Sequence, residues 1–455
     1  MEHAGRPAFP DSAGDWHKRI LSMTWPVILA NVTIPLVGLV DVWVMGRIPD
    51  PTYIAAVTLG AALFSAVYWL FGFLRMGTTG LVAQAWGRND PAQVTATIAR
   101  AATIALALGA LIISLQWPLQ YLLFALFDAS AQTESLAATY YSIRIWGAPA
   151  LLLTLAELGL LFGLQKMRAT LMLSVGLNVT NVALNMFFVL GLGMDVAGVA
   201  LATLLSEWSA ALFGGYLCLN AMRNAGIQHT LSAEQFKRLW QKGAATTFGH
   251  VSANLILRTF FVQLPFFVGT VVATSMGDVA LAAHGVLMQL FFVMTYSLDG
   301  FAQTSETLTG YAYGSADPRR VRQSTLYSGW WGLVGAGLTA LFFATAGYLC
   351  IDELTRAEPV REFAYTYLPW LIAAPFLCLL AFLFDGIFIG TTHIVEMRNS
   401  MLLAAACWAA TLWLSLPALQ YHGVWLAMSV FMLVRSALLG YFYPRIERNA
   451  HSAKA

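Results

Sequence analysis

Charge is what this sequence has least of. Only 11% of its 455 residues are Asp, Glu, Lys or Arg, against roughly 25% in soluble domains. A soluble fold could not hide the 58% that are hydrophobic. Cysteine is scarce as well: Cys218, Cys350, Cys378 and Cys407 fall in or at the end of apolar runs, with no CxxC spacing. Neither a disulfide framework nor a zinc site is indicated. Also missing are the GxxxxGK[ST] phosphate loop, the HExxH zinc helix and the GxSxG elbow. The chain therefore reads as neither an enzyme nor an ATPase, without cofactor or metal, and active transport would draw on an ion gradient. Its net charge of +2 is spread over separate short loops, which makes no patch for nucleic acid.

What the sequence has in abundance is long apolar runs, with mean hydropathy +0.67. A helix needs about 20 mostly apolar residues to cross a hydrocarbon core of about 30 Å. About twelve such stretches occur, near 20–46, 54–83, 95–126, 138–164, 169–192, 197–221, 243–273, 279–312, 324–350, 363–391, 400–416 and 422–443. The first follows polar Asp15 to Arg19, lacks an A-x-A-like cleavage site and outruns a signal-peptide core, so it reads as a retained helix. Lys and Arg collect in cytoplasmic loops. With the N-terminus inside, the inner segments take Lys18, Arg19, Arg88, Lys166, Arg168, Lys237, Arg238, Arg319, Arg320, Arg398 and Arg445 among others, and the outer loops only Arg47, Arg356 and Arg361. Both termini are expected in the cytoplasm.

The spans divide six and six about the polar segment Arg223 to Lys242, and the two halves echo one another. Ala85-Trp86-Gly87-Arg88-Asn89-Asp90-Pro91 matches Ala312-Tyr313-Gly314-Ser315-Ala316-Asp317-Pro318. Gly198-Val199-Ala200-Leu201-Ala202 matches Gly423-Val424-Trp425-Leu426-Ala427, and Ala148-Pro149 matches Ala374-Pro375. Three echoes in order at nearly one offset point to duplication. Six spans per half keep the orientation, so the expected fold is all-α, two six-helix lobes related by a pseudo-two-fold axis along the membrane normal, with substrate in cavities within or between them. The expected domains are a cytoplasmic segment 1–19, an N-lobe 20–222, a linker 223–242, a C-lobe 243–443 and a cytoplasmic tail 444–455. Duplication also occurs in channels and flippases.

An ionised side chain inside a span costs roughly 2.5–3.5 kcal/mol on insertion scales, so each is a functional candidate or one half of an ion pair. Asp41 lies in the apolar run Leu36 to Met45 and could empty and refill with a proton during transport. Its helix also carries Pro26 and Pro35, each removing a backbone hydrogen bond, so Pro26 is a candidate hinge. Asn181 and Asn185 stack on one face of the fifth span after Asn178, with Thr203 of the next span in reach, either as a binding cavity or as helix-to-helix glue. The second half holds Arg258, Asp299, Glu306 and Asp385, near His250 and His284 in the chain. Asp299 and Glu306 are two turns apart, and Arg258 could pair with either. Asp385 stands alone in Leu383 to Phe388, which suggests a coupling or binding role. Arg75, Glu157, Glu207 and Arg435 read as span-end or interhelical pairs.

Pro26 and Asp41 in the first span, with the phrases LVDVWVMGRI (39–48), FLRMGTTGLVAQAWGRND (73–90), YSLDGFAQTSE (296–306) and FDGIFIGTTHIVEMRNSM (384–401), resemble the multidrug and toxic compound extrusion (MATE) family, DinF branch, over residues 15 to 445. The resemblance implies a monomeric antiporter in a bacterial cytoplasmic membrane, in contact with membrane lipids. It would export bulky, often cationic or amphipathic organic compounds in exchange for protons by alternating access. The resemblance makes Asp41 the proton site and Pro26 the bend that follows its protonation. It places Asn181, Asn185 and Thr203 in a cavity beside them and makes Asp385 the tenth-helix acid. Where relatives carry Asp, this chain has Asn185, which favours protons over sodium. Other readings are a sodium-coupled exporter, a flippase for lipid-linked saccharides, and a polytopic lipid enzyme. Few intramembrane Arg and no Lys speak against the flippase, and short outer loops against the enzyme.

Overall fold

Within hydrocarbon every backbone N–H and C=O must find a partner inside the protein, and a helix provides one for each along its own length. The computed structural model describes residues 7–45, 51–124, 131–227, 239–240 and 242–452. No strand occurs among the described residues. The helices are α1 (Ala13–Met45), α2 (Pro51–Tyr68), α3 (Phe73–Gly87), α4 (Pro91–Ser114), α5 (Gln116–Phe124), α6 (Ala131–Arg144), α7 (Ala148–Gly163), α8 (Met167–Asn185), α9 (Val196–Asn224), α10 (Lys242–Ser275), α11 (Asp278–Gly314), α12 (Pro318–Leu354), α13 (Glu358–Gly390), α14 (Ile394–Leu419) and α15 (Tyr421–Ser452). Among the described residues ten helical stretches are long and apolar enough to cross a membrane, and an eleventh is a bent pair.

Backbone contacts group the chain into two units, one of Met1–Pro7 with Val32–Phe248 and one of Ala8–Asn31 with Gly249–Ala455. The chain passes from the second to the first within α1, between Pro26 and Pro35. Pro35 has no N–H to offer the carbonyl four residues back, that of Asn31. In the second unit, His17 accepts from Trp331 Nε1 at 3.0 Å, Thr24 donates to Thr304 Oγ1 at 3.0 Å, and Asn31 Nδ2 donates to the Tyr296 carbonyl at 3.2 Å. Pro26 is buried there.

The internal repeat is visible in backbone detail. Both α3 and α11 end on a non-glycine residue in the left-handed region, Asn89 (φ 63°) and Ala316 (φ 55°). The next residue is in each case an aspartate whose carboxylate caps the following helix: Asp90 accepts from Gln93 N at 2.9 Å, and Asp317 from Arg319 N at 3.1 Å and Arg320 N at 3.2 Å. Proline follows at the first helical position, where its missing N–H costs nothing. A second pair that the sequence comparison did not single out, Gln165 (φ 60°) and Thr392 (φ 56°), closes α7 and α13 in the same way. Left-handed backbone costs a residue with a Cβ about 1–2 kcal/mol, part of which glycine gives back as entropy of the unfolded chain. Ala316→Gly is therefore expected to stabilise the protein by up to about 1 kcal/mol, read as a higher unfolding midpoint in detergent.

Close helix packing repeats as well. Gly159 and Gly163 of α7 and Gly386 and Gly390 of α13 are two small-xxx-small pairs, the device by which membrane helices approach. A Cβ at Gly159 would stand 2.8 Å from the Arg75 carbonyl oxygen, and one at Gly386 would collide with the carbonyl of Ala302. Residues 75 and 302 are themselves repeat partners. The two halves differ in continuity. The second unit runs its spans as unbroken helices α10 to α15. The first interrupts the second span with a 3-10 turn at Trp69–Gly72, the fourth with one at Ile145–Gly147, and ends the fifth in a π turn at Met186–Gly191. Thus Pro149 begins α7 after a break, while its echo Pro375 lies inside α13.

Candidate functional site

The first unit collects polar side chains where α8 faces α9. Asn181 and Asn185, four residues apart on α8, are 2% and 0% exposed. Asn185 Nδ2 donates to Asn181 Oδ1 at 3.0 Å, and Asn181 Nδ2 donates to Thr203 Oγ1 at 3.2 Å and Ser206 Oγ at 3.3 Å. Both hydroxyls give their own protons to α9 carbonyls, Thr203 to Val199 at 3.1 Å and Ser206 to Ala202 at 2.8 Å. Their lone pairs are left for the asparagine. The ladder ends where α8 gives way to its π turn. One turn earlier, Asn178 Nδ2 donates to Thr33 Oγ1 of α1, two turns ahead of Asp41. The backbone of Asp41 lies in α1, and its side chain falls outside the described residues.

The structure thus brings Asn181, Asn185 and Thr203 together and adds Ser206, which sequence reasoning missed. The signal was its position one turn beyond Thr203. Chemically this is a strip of amide and hydroxyl dipoles without formal charge, suited to hydrogen-bonding a neutral acid or a polar cargo group.

The second unit arranges its charges differently from the expectation. Arg258 of α10 does not meet Asp299 or Glu306. Its Nη2 donates to Asp385 Oδ2 on α13, and so does Nη2 of Arg435 on α15, whose Nε also reaches Oδ1 at 3.2 Å. Exposures of 9%, 5% and 0% for Arg258, Asp385 and Arg435 put all three groups inside the protein. Asp385 therefore does not stand alone: one carboxylate ties three helices. Two guanidiniums against one carboxylate leave the cluster with an excess positive charge, partly spread by Arg435 lying over the Phe382 ring at 5.8 Å. Asp299 is half-buried and Glu306 buried on α11. His284 sits between Thr270 Oγ1, 3.1 Å from Nε2, and the Tyr421 hydroxyl at Nδ1. His250 lies on the exposed side of α10.

Of the four groups read as span-end or interhelical pairs, Arg435 is paired as described. Glu207 of α9 meets Arg144 of α6 at 3.7 Å, and Arg75 lies over Phe162 at 5.5 Å. Glu157 of α7 has no ion pair among the described residues.

Comparison with known proteins adds the following. The family model MatE matches residues 26–187 and 255–407. "DNA damage-inducible protein F" of Escherichia coli (strain K12) is 37% identical over 438 residues, covering 95% of this chain and 92% of the relative. "Probable multidrug resistance protein NorM" of Rhizobium meliloti (strain 1021) is 26% identical over 74% of this chain and 72% of its own. A crystal structure of MATE in complex with MaL6 superimposes with TM-score 0.84 at 20% identity, covering 95% of this chain and 97% of that one.

Proposed function

The chain belongs to the MatE family of multidrug and toxic compound efflux transporters, and from that premise we propose that it is an antiporter. In this reading it exports bulky, often cationic or amphipathic organic compounds while protons enter. The observation that carries the reading is the uncharged ladder of Asn181, Asn185, Thr203 and Ser206, tied through Asn178 to the helix that bears Asp41. With an amide at 185 in place of a second carboxylate, the ladder's four side chains carry no acid, and the reading assigns the coupling proton to Asp41 of α1. Asn185 in place of a second carboxylate removes a negative ligand that could balance a sodium ion, and this favours protons. Sodium coupling is the weaker reading for that reason. The flippase reading is weaker because Arg258 and Arg435, which could hold a diphosphate, are both engaged by Asp385.

The α1 helix supplies a route for coupling. Its first part is hydrogen-bonded within the second unit and Thr33 within the first, with Pro26 and Pro35 on either side of the change. A proton on Asp41 would alter how α1 sits on the ladder, and a proline-weakened helix can follow by bending. The cycle is the alternating access of two-lobed secondary transporters.

The test is purified protein in liposomes with an imposed proton gradient and a fluorescent organic cation. Substrate movement that follows the gradient and is abolished by a protonophore is the expected result. Movement that follows sodium and ignores protons would overturn it. The membrane orientation is proposed with both termini cytoplasmic. In a chain whose four native cysteines have been replaced, Thr230→Cys and Thr355→Cys should label from opposite faces of inner-membrane vesicles. Labelling from one face would overturn the orientation.

A further inference from the structure

The internal repeat allows each position of one lobe to be compared with its partner in the other, and one pair differs in kind. Phe384 of α13 packs against α15 at Gly440, where a Cβ would stand 3.5 Å from its ring. Its partner in the first unit, 227 residues earlier, is Glu157 of α7. The partner of Gly440 is Gly215 of α9, where a Cβ would stand 3.5 Å from Glu157 Oε1. The same slot is filled by a phenyl ring in one unit and by a carboxyl in the other.

The slot does not need an acid for packing. A buried phenyl stabilises the packing by leaving water, whereas a carboxylate taken out of water without a partner destabilises it. Glu157 is 5% exposed, and its Oε2 has no hydrogen-bond donor among the described residues. Oε2 faces Gly214, where a Cβ would overlap it, so two adjacent glycines make room for the carboxyl.

No ion pair to Glu157 forms among the described residues. On α9 the titratable groups are Cys218, whose thiol donates to the backbone carbonyl of Glu157 at 3.6 Å, Glu207, two turns from Gly214 and paired with Arg144, and the exposed Tyr216 and Arg223. From α8, Leu173 closes the slot. On α3, Arg75 presents its carbonyl to Gly159 and its guanidinium to the Phe162 ring. The packing as it stands accommodates the neutral acid, and the ionised form requires water to enter between α7 and α9.

We propose that Glu157 is a second proton-binding site of the first lobe, exchanging its proton with water during each export cycle as the seam between α7 and α9 closes and opens. The O–H bond of the carboxylic acid breaks when water reaches it, the proton leaves as hydronium, and the carboxylate takes a proton again before the seam closes. This rests on the proton-antiport reading and adds a second carrier to it. A buried, glycine-lined slot supplies what the described conformation needs from such a carrier, shielding a held proton until the helices part.

Two measurements on the full-length protein test it. In liposomes, the number of protons exchanged per fluorescent cation exported should fall by one in Glu157→Gln, with export itself retained. Glu157→Phe, the side chain the other lobe carries in this slot, should behave alike and serves if the amide variant folds poorly. A residue that merely packed would change the rate and leave the ratio untouched. In infrared difference spectra recorded on substrate addition, the wild type should show a protonated-carboxyl C=O band that survives in Asp41→Asn and is lost in Glu157→Gln. An unchanged ratio or an unchanged band in the Glu157 variants overturns this proposal alone. Absence of any proton flux in the wild type would overturn the antiport reading and this proposal with it.

Discussion

Asp41→Asn should reduce proton-driven export to the level of empty liposomes while leaving the protein folded. Asn keeps the shape of a neutral carboxylic acid and its capacity to hydrogen-bond, so the first helix would be held in the state that protonation produces. Turnover needs both states, and a permanently neutral side chain gives only one. Binding can survive the change, because the uncharged ladder of Asn181, Asn185, Thr203 and Ser206 is untouched. Gradient-driven export and equilibrium binding of the same fluorescent cation, both on Asp41→Asn of verified monodispersity, separate the outcomes. Lost export with retained binding supports the coupling role. Loss of both would make Asp41 a direct contact of the substrate. Undiminished export would refute the assignment and move the search for the coupling acid to Asp299 and Glu306.

Asp385→Asn should have its largest effect on folding. The substitution is nearly isosteric, but it removes the one carboxylate that faces two buried guanidiniums, leaving Arg258 and Arg435 without their counter-charge at 9% and 0% exposure. Breaking a buried pair costs about 3–5 kcal/mol, a large part of the roughly 5–15 kcal/mol that holds a typical protein folded. The yield of monodisperse protein and its unfolding midpoint should both drop sharply. Arg435→Met should be milder, because it removes the excess positive charge and leaves Arg258 and Asp385 as a matched pair. If Asp385→Asn is as stable as the wild type and only export is lost, then Asp385 is a working acid of the transport cycle and its ion pairs are incidental to the fold. If Arg435→Met proves the more destabilising of the two, the charge-balance account fails.

The two acids also show which parts of the site were legible. Asn181, Asn185 and Thr203 could be grouped from spacing alone, because two of them share a helix face and the third lies in the next span. That is short-range geometry, and helical periodicity carries it. Asp385 could not be read in this way. Its partners lie 127 and 50 residues away, on helices whose neighbours in space no local pattern specifies. The run Leu383 to Phe388 made it seem solitary when it is the hub of a three-helix tie. Glu157 shows the opposite case. Buried charges are usually paired, which predicts a partner for it, and the slot against Gly214 and Gly215 where it has no ion pair among the described residues exists only once α7 and α9 are packed.

The sequence by itself determined that this protein lies in a membrane, how its apolar runs are spaced, that its halves are copies, and which family it belongs to. Those properties rest on composition, on lengths set by the thickness of hydrocarbon and on motifs contiguous in the chain. Only the tertiary structure decided which charges meet, where the repeat exchanges a phenyl for a carboxyl, and that α1 is hydrogen-bonded to the second unit through Asn31 and to the first through Thr33. The physical reason is that each of these depends on the lateral packing of helices. In a chain whose helices are all apolar, hydrophobicity does not specify which helix packs against which. The choice falls to glycine pairs, single hydrogen bonds and a few buried ions, whose partners are far apart in the chain and become visible only when the helices are side by side.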